Sequence, residues 1–218
     1  MKRRLSGTLI SLILCFIVFH VTMVNAQGWV INREPHAIPN RFVIGVMPGL
    51  YRYSGDVDIP VNTFGMEYFA RIPLPISDDF SLYCAAGYSD LKGGDKDGSN
   101  STTRIFTNNN PFTYGILMPG YRIYRHKKVA IWLNAGIGTG YIKSVNPATT
   151  GEKFLFPVSI DFNYNFKQYW IITIHGEYMI AFQDLDGLRS GGSPDFRKND
   201  NLIHISLGLG FMAGSLFE

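Results

Sequence analysis

The sequence predicts an all-β fold: a transmembrane, antiparallel, up-and-down β-barrel of eight strands. Three observations carry this reading. From about Arg41 onward apolar residues alternate with polar or small ones, the signature of strands with one oily face. The alternating runs are long, on the order of 10 to 14 residues, where soluble strands average ~5–6 and a tilted bilayer-spanning strand needs ~9–11. The connections between them alternate short and long, as the turns and loops of membrane barrels do.

The first 26 residues of the 218 read as an export signal, 1–26. Lys2, Arg3 and Arg4 form a positive n-region, Leu9 to Val24 an apolar run, and Val24-Asn25-Ala26 a small-residue cleavage site before Gln27. An uncleaved anchor fits less well, because His20 and Thr22 interrupt the apolar run, and Cys15 has no lipobox ahead of it. The chain's formal charge of +3 resides in this segment, so the mature chain is neutral overall, and nothing in it reads as a nucleic-acid binder. Cleavage also removes Cys15 and leaves Cys84, which excludes an internal disulfide and any metal site built on paired cysteines. Downstream, no stretch reaches the ~18 consecutive apolar residues of a transmembrane helix. Residues 27–40, with Pro35 and Pro39, read as a short periplasmic arm, and 41–218 as the barrel.

The clearest strand is Leu202 to Phe211: Ile203, Ile205, Leu207, Leu209 and Phe211 share one face, His204, Ser206, Gly208 and Gly210 the other. The same alternation marks Phe64–Leu74, Ile131–Tyr141, Phe154–Phe166 and Trp170–Phe182, with weaker runs over 41–53, 80–90 and 113–125. On this parity Leu207 and Ile172 face lipid, while Glu177 and His204 face the interior. The short connections are Pro75 to Asp79, His126-Lys127-Lys128 and Lys167-Gln168. The long ones are Ser54 to Pro60, Leu91 to Phe112, Ser144 to Lys153 and Gln183 to Asp200. Counted from the N-terminus, every short turn falls on the side of the termini, which places the long loops outside the cell. Aromatics near strand ends, Tyr51, Tyr53, Tyr88, Tyr124, Tyr141, Phe154, Phe166, Trp170 and Phe182, are expected to form interfacial girdles.

Over about Arg41 to Phe217 the sequence resembles the OmpA/OmpX-type small outer-membrane barrels and the wider porin-like outer-membrane β-barrel families. The last strand, Ser206-Leu207-Gly208-Leu209-Gly210-Phe211, resembles the signal read by the barrel assembly machinery. That signal usually ends a chain on an aromatic residue; here the sequence continues, and Phe217 is penultimate. The resemblance implies outer-membrane residence, contact with outer-membrane lipid and lipopolysaccharide, passage through the assembly machinery, and a monomer.

The inward positions carry Glu67, Arg71, Arg122, Asp161, His175, Glu177 and His204. The interior of an eight-stranded barrel is just wide enough for side chains to fill, so these groups are expected to form a packed, self-neutralising network. Asp161 and Glu177 are the candidate partners of Arg122. Inward glycines, among them Gly45, Gly65, Gly87, Gly136, Gly138, Gly208 and Gly210, leave some room beside them. The functional expectation is a structural, adhesive or binding role, or passage of small solutes, without catalysis, cofactor or metal. The competing reading is a lipid-modifying enzyme. Lipid A deacylases are eight-stranded barrels with a His-x-Ser pair and a later glutamate, and His204-Ile205-Ser206 with Glu218 has that spacing. Their Ser-Asn-Ala continuation is missing, since Leu207-Gly208 follows Ser206. Gly93 to Asn100 has the look of a calcium loop but lacks its closing acidic ligand.

Overall fold

A computed structural model describes residues 41–53, 59–91, 93–96, 103–105, 110–143, 151–167, 169–181 and 200–212. The expected signal 1–26, the arm 27–40, most of the long connections and the last six residues lie outside the described residues. Among the described residues there are twelve strands. In chain order they are β1 (Val43–Tyr53), β2 (Ile59–Pro60), β3 (Asn62–Pro73), β4 (Phe80–Leu91), β5 (Gly93–Lys96) and β6 (Thr103–Ile105). There follow β7 (Asn110–His126), β8 (Val129–Ala135), β9 (Ile137–Ile142), β10 (Gly151–Lys167), β11 (Trp170–Ala181) and β12 (Asp200–Met212).

Nine of these make a closed ring of eight antiparallel staves. Its order is β1, β3, β4, β7, β8 with β9, β10, β11 and β12, and β12 pairs back onto β1 from Val43↔Met212 to Tyr53↔Leu202. Closure leaves no unpaired edge, which is the condition for strands to stand in hydrocarbon. The fold is therefore the eight-strand barrel that the alternation predicts.

One stave departs from the sequence reading. Ile131–Tyr141 is two strands, broken at Gly136. Pro157 on β10 stands beside the break, as does Pro119 on β7, between the Gly120↔Asn134 and Leu117↔Ile137 pairs, and a proline gives its neighbour no ladder N–H. Gly136 instead donates its own N–H to the Pro157 carbonyl at 3.0 Å. A side chain is excluded there: a Cβ on Gly136 would lie 2.0 Å from the Leu117 carbonyl oxygen. A bulge between Arg122 and Tyr124 similarly interrupts β7, so Ile123 and Tyr124 are both exposed.

Two of the long connections carry structure of their own. β5 and β6 form a hairpin within Leu91–Phe112, and β2, from the Ser54–Pro60 connection, pairs with β5. The stretch weighed as a calcium loop is thus strand over Gly93–Lys96, its remainder lying outside the described residues.

The outer face is an apolar belt: Leu50, Phe64, Ile160, Ile174, Ile205 and Leu207 are among many large hydrophobic side chains left exposed. A soluble monomer rarely exposes an apolar patch beyond a few hundred Å², so the solvent this surface fits is lipid. Tyr88, Tyr124, Tyr141, Phe154 and Trp170 also point outward, as interfacial aromatics should. Tyr51 and Tyr53 do not. They share the inward parity of Met47 on β1 and are buried, which corrects their assignment to a girdle.

Candidate functional site

The interior is layered. Toward the loop end it is mainly apolar, with Tyr53, Phe112, Ile142, Leu155, Met179 and Leu202 all buried, alongside Ser89 and Lys153. Toward the turn end lie Val43, Ile171 and Met212, with Trp132 and Arg122. Between these two layers is a polar band of hydrogen-bonded and ionisable side chains.

All seven inward ionisable residues named from the sequence are buried, and six of them meet in this band. Asp161 on β10 accepts from the Arg71 guanidinium, from Nδ1 of His175, and from Asn134 Nδ2 at 3.0 Å. Arg71 also donates to Ser81 Oγ at 2.8 Å and to Asn134 Oδ1 at 3.1 Å. Glu67 on β3 is held by two phenols, Tyr83 at 2.5 Å and Tyr114. Tyr114 shares a 2.8 Å hydrogen bond with Tyr51, and the Tyr51 ring stacks on His204 at 4.0 Å between centroids.

Register explains part of this assembly. Asp161 stands directly across from His175, Glu177 from His204, and His204 from Tyr51. Glu67 arrives from β3, three staves away from β11, and reaches the group across the lumen. The inward glycines make space for the rings: a Cβ on Gly87 would come within 2.3 Å of the Tyr114 ring, and one on Gly208 within 2.3 Å of Met47. Room that the sequence suggested beside these glycines is occupied by neighbouring side chains.

Arg122 is the residue that the structure takes elsewhere. Its partner is Asp79, at 2.9 Å from Nε, and not Asp161 or Glu177. Nη2 donates to the Asp78 carbonyl at 2.8 Å, and the Arg122 N–H to the Asp79 carbonyl at 2.8 Å. The reason is depth. Arg122 lies near the end of β7 beside the Pro75–Asp79 turn, whereas Asp161 is already bound by Arg71 and His175. Both guanidinium carbons lie over the Trp132 ring, Arg71 at 4.5 Å and Arg122 at 5.3 Å, where the π face favours positive charge. Because Asp79 is 41% exposed, water can take over its solvation when its partner is lost. Arg122→Ala is therefore expected to cost about 1–2 kcal/mol, measured as the urea midpoint of the refolded barrel. A loss as large as that for Asp161→Ala would refute this pairing.

Four of the inward ionisable side chains have an arrangement that the sequence does not show. Glu67, His175, Glu177 and His204 each offer one ligand atom, and these four atoms lie within 4.8 Å of one another. His175 Nε2 and Glu177 Oε2 are 3.6 Å apart, His204 Nδ1 and Glu177 Oε2 3.5 Å, and His204 Nδ1 and Glu67 Oε2 3.7 Å. These separations are too long for hydrogen bonds. His175 Nε2, His204 Nδ1 and both oxygens of Glu177 have no hydrogen-bond partner among the described residues. The available signal was His175-x-Glu177, two ligand types on one inward face.

The His204-x-Ser206 pair also faces the lumen. Both residues are buried, and the Ser206 hydroxyl donates to the Met47 sulfur at 3.8 Å. Glu218 lies outside the described residues.

The fold and the apolar belt define the class: a membrane-spanning β-barrel of the small outer-membrane type. Among solved structures the chain is similar to Neisserial surface protein A, with 10% identity over 78% of this chain and 96% of that one, at a TM-score of 0.54. Matches also include OprG from Pseudomonas aeruginosa, with 11% identity, 83% and 100% coverage and a TM-score of 0.48. Ail of Yersinia pestis gives 14% identity, 80% and 99% coverage and a TM-score of 0.46. No protein-family model matches the sequence, and no curated protein matches it.

Proposed function

We propose that this chain is a structural or binding protein of the outer membrane that acts through its loop-end connections, without catalysis and without an open conduit. The observation that supports this reading is the occupied lumen: inward side chains from all eight staves are buried at the apolar, polar and turn-end levels. Solute passage needs a continuous water path, and lipid chemistry needs its reactive groups at the lipid face. His204 and Ser206 point away from lipid, which weighs against the deacylase-like alternative. The belt contacts outer-membrane lipid and lipopolysaccharide, the barrel assembly machinery inserts the chain, and the barrel works as a monomer.

Planar-bilayer recording of the refolded protein tests the closed lumen. No resolved unitary steps are expected. Porin-scale steps from the unmodified protein would overturn the closed reading and put solute passage in its place.

A further inference from the structure

We propose that Glu67, His175, Glu177 and His204 form a closed binding site for one divalent first-row metal ion, of the Zn²⁺ class, inside the barrel. This goes beyond the loop-mediated role and does not depend on it. The donor set is two imidazole nitrogens and two carboxylate oxygens, a combination suited to Zn²⁺ and its first-row neighbours and poorly matched to the all-oxygen preference of Ca²⁺ or Mg²⁺.

The spacing fits an ion and not direct bonding. Ligand atoms roughly 2.0–2.1 Å from a tetrahedral metal stand roughly 3.3–3.4 Å from each other. Three of the separations here are 3.5, 3.6 and 3.7 Å, and all four donors lie within 4.8 Å of one another, so the widest pair draws together when the ion binds. Four protein donors would complete a tetrahedron and leave no position for water or substrate, so the ion's role is structural.

The surrounding groups are those that orient metal ligands. His175 turns Nδ1 to Asp161, which leaves Nε2 facing the site, the carboxylate–histidine arrangement found behind metal-bound imidazoles. Asp161 is fixed in turn by Arg71 and Asn134. Glu67 is fixed by Tyr83 and Tyr114, and His204 by stacking on Tyr51.

Charge supplies an independent argument. The buried carboxylates of Glu67, Asp161 and Glu177 face one buried guanidinium, Arg71, and unbalanced buried charge is costly. With neutral imidazoles the band carries two uncompensated negative charges, the complement of one divalent cation. Two imidazolium ions would also balance it, but each should then donate a hydrogen bond to a carboxylate from the nitrogen that faces Glu177. Neither His175 Nε2 nor His204 Nδ1 has such a bond.

The apolar layer toward the loops implies that the ion enters during folding and exchanges slowly. The full chain is therefore refolded into detergent with Co²⁺ or Zn²⁺, or with a chelator, and freed of excess metal. Folding is scored separately by the heat-dependent shift of the barrel on a denaturing gel. One metal per folded chain is expected, with the intense visible bands of tetrahedral Co²⁺. Folded Glu177→Gln and His204→Gln should each retain at least tenfold less. Folded wild-type protein holding no metal, or showing only the weak bands of a water-rich octahedral site, would overturn the proposal. So would folded variants that keep the full equivalent. The Co²⁺ spectrum decides the matter even if neither variant folds.

Discussion

Asp161→Ala is expected to cost about 3–5 kcal/mol of barrel stability, the loss typical of breaking a buried ion pair from one side. Asp161 is fully buried and accepts hydrogen bonds from Arg71, His175 and Asn134. Without it the Arg71 guanidinium, itself 4% exposed, keeps only neutral partners, Ser81 and Asn134. An isolated buried cation cannot recover its hydration, so the penalty is one of desolvation more than of lost attraction. That predicts the shape of a double-mutant cycle. Arg71→Met in the Asp161→Ala background removes the stranded charge and should recover part of the loss. Urea unfolding from lipid vesicles, followed by tryptophan fluorescence, reads all four proteins. A double variant as unstable as the sum of the two singles would mean that the two residues are not coupled.

Leu207→Arg should cost about 2–4 kcal/mol, the penalty for Arg on the lipid face near the midplane. Leu207 is mid-strand in β12 and 59% exposed on the apolar belt. The cost depends on depth, because an arginine near the interface reaches headgroups and water. Ile76→Arg is the control: Ile76 is 78% exposed in the short turn between β3 and β4, and the same change there should cost about 0–1 kcal/mol. Both are compared by the fraction refolded into vesicles and by urea midpoint. Equal tolerance of the two would mean that Leu207 does not face hydrocarbon.

The class of fold and the parity of its staves are legible in the sequence alone. Both follow from local chemistry: successive side chains on a strand point to opposite faces, so one run such as Ile203 to Phe211 declares its lipid side without knowledge of any neighbour. That parity also placed Glu67, Asp161, His175, Glu177 and His204 on inward positions, where the structure carries them. It misplaced Tyr51 and Tyr53, because alternation is weak along β1 and an aromatic near a strand end suits a girdle and a packed lumen equally. It joined β8 to β9, because the prolines beside the break, Pro119 and Pro157, stand on other strands.

Which inward residues stand level with one another is set by the closed barrel. In a closed barrel this depends on turn geometry and on the stagger of the staves, quantities that no single strand encodes. Arg122 and Asp161 look like natural partners in the sequence, yet depth assigns Arg122 to Asp79 at the turn and gives Asp161 to Arg71 and His175. The same stagger brings Glu67 across the lumen to His204 and Glu177. Four residues that the sequence places in one packed network thereby become a compact set of facing donor atoms.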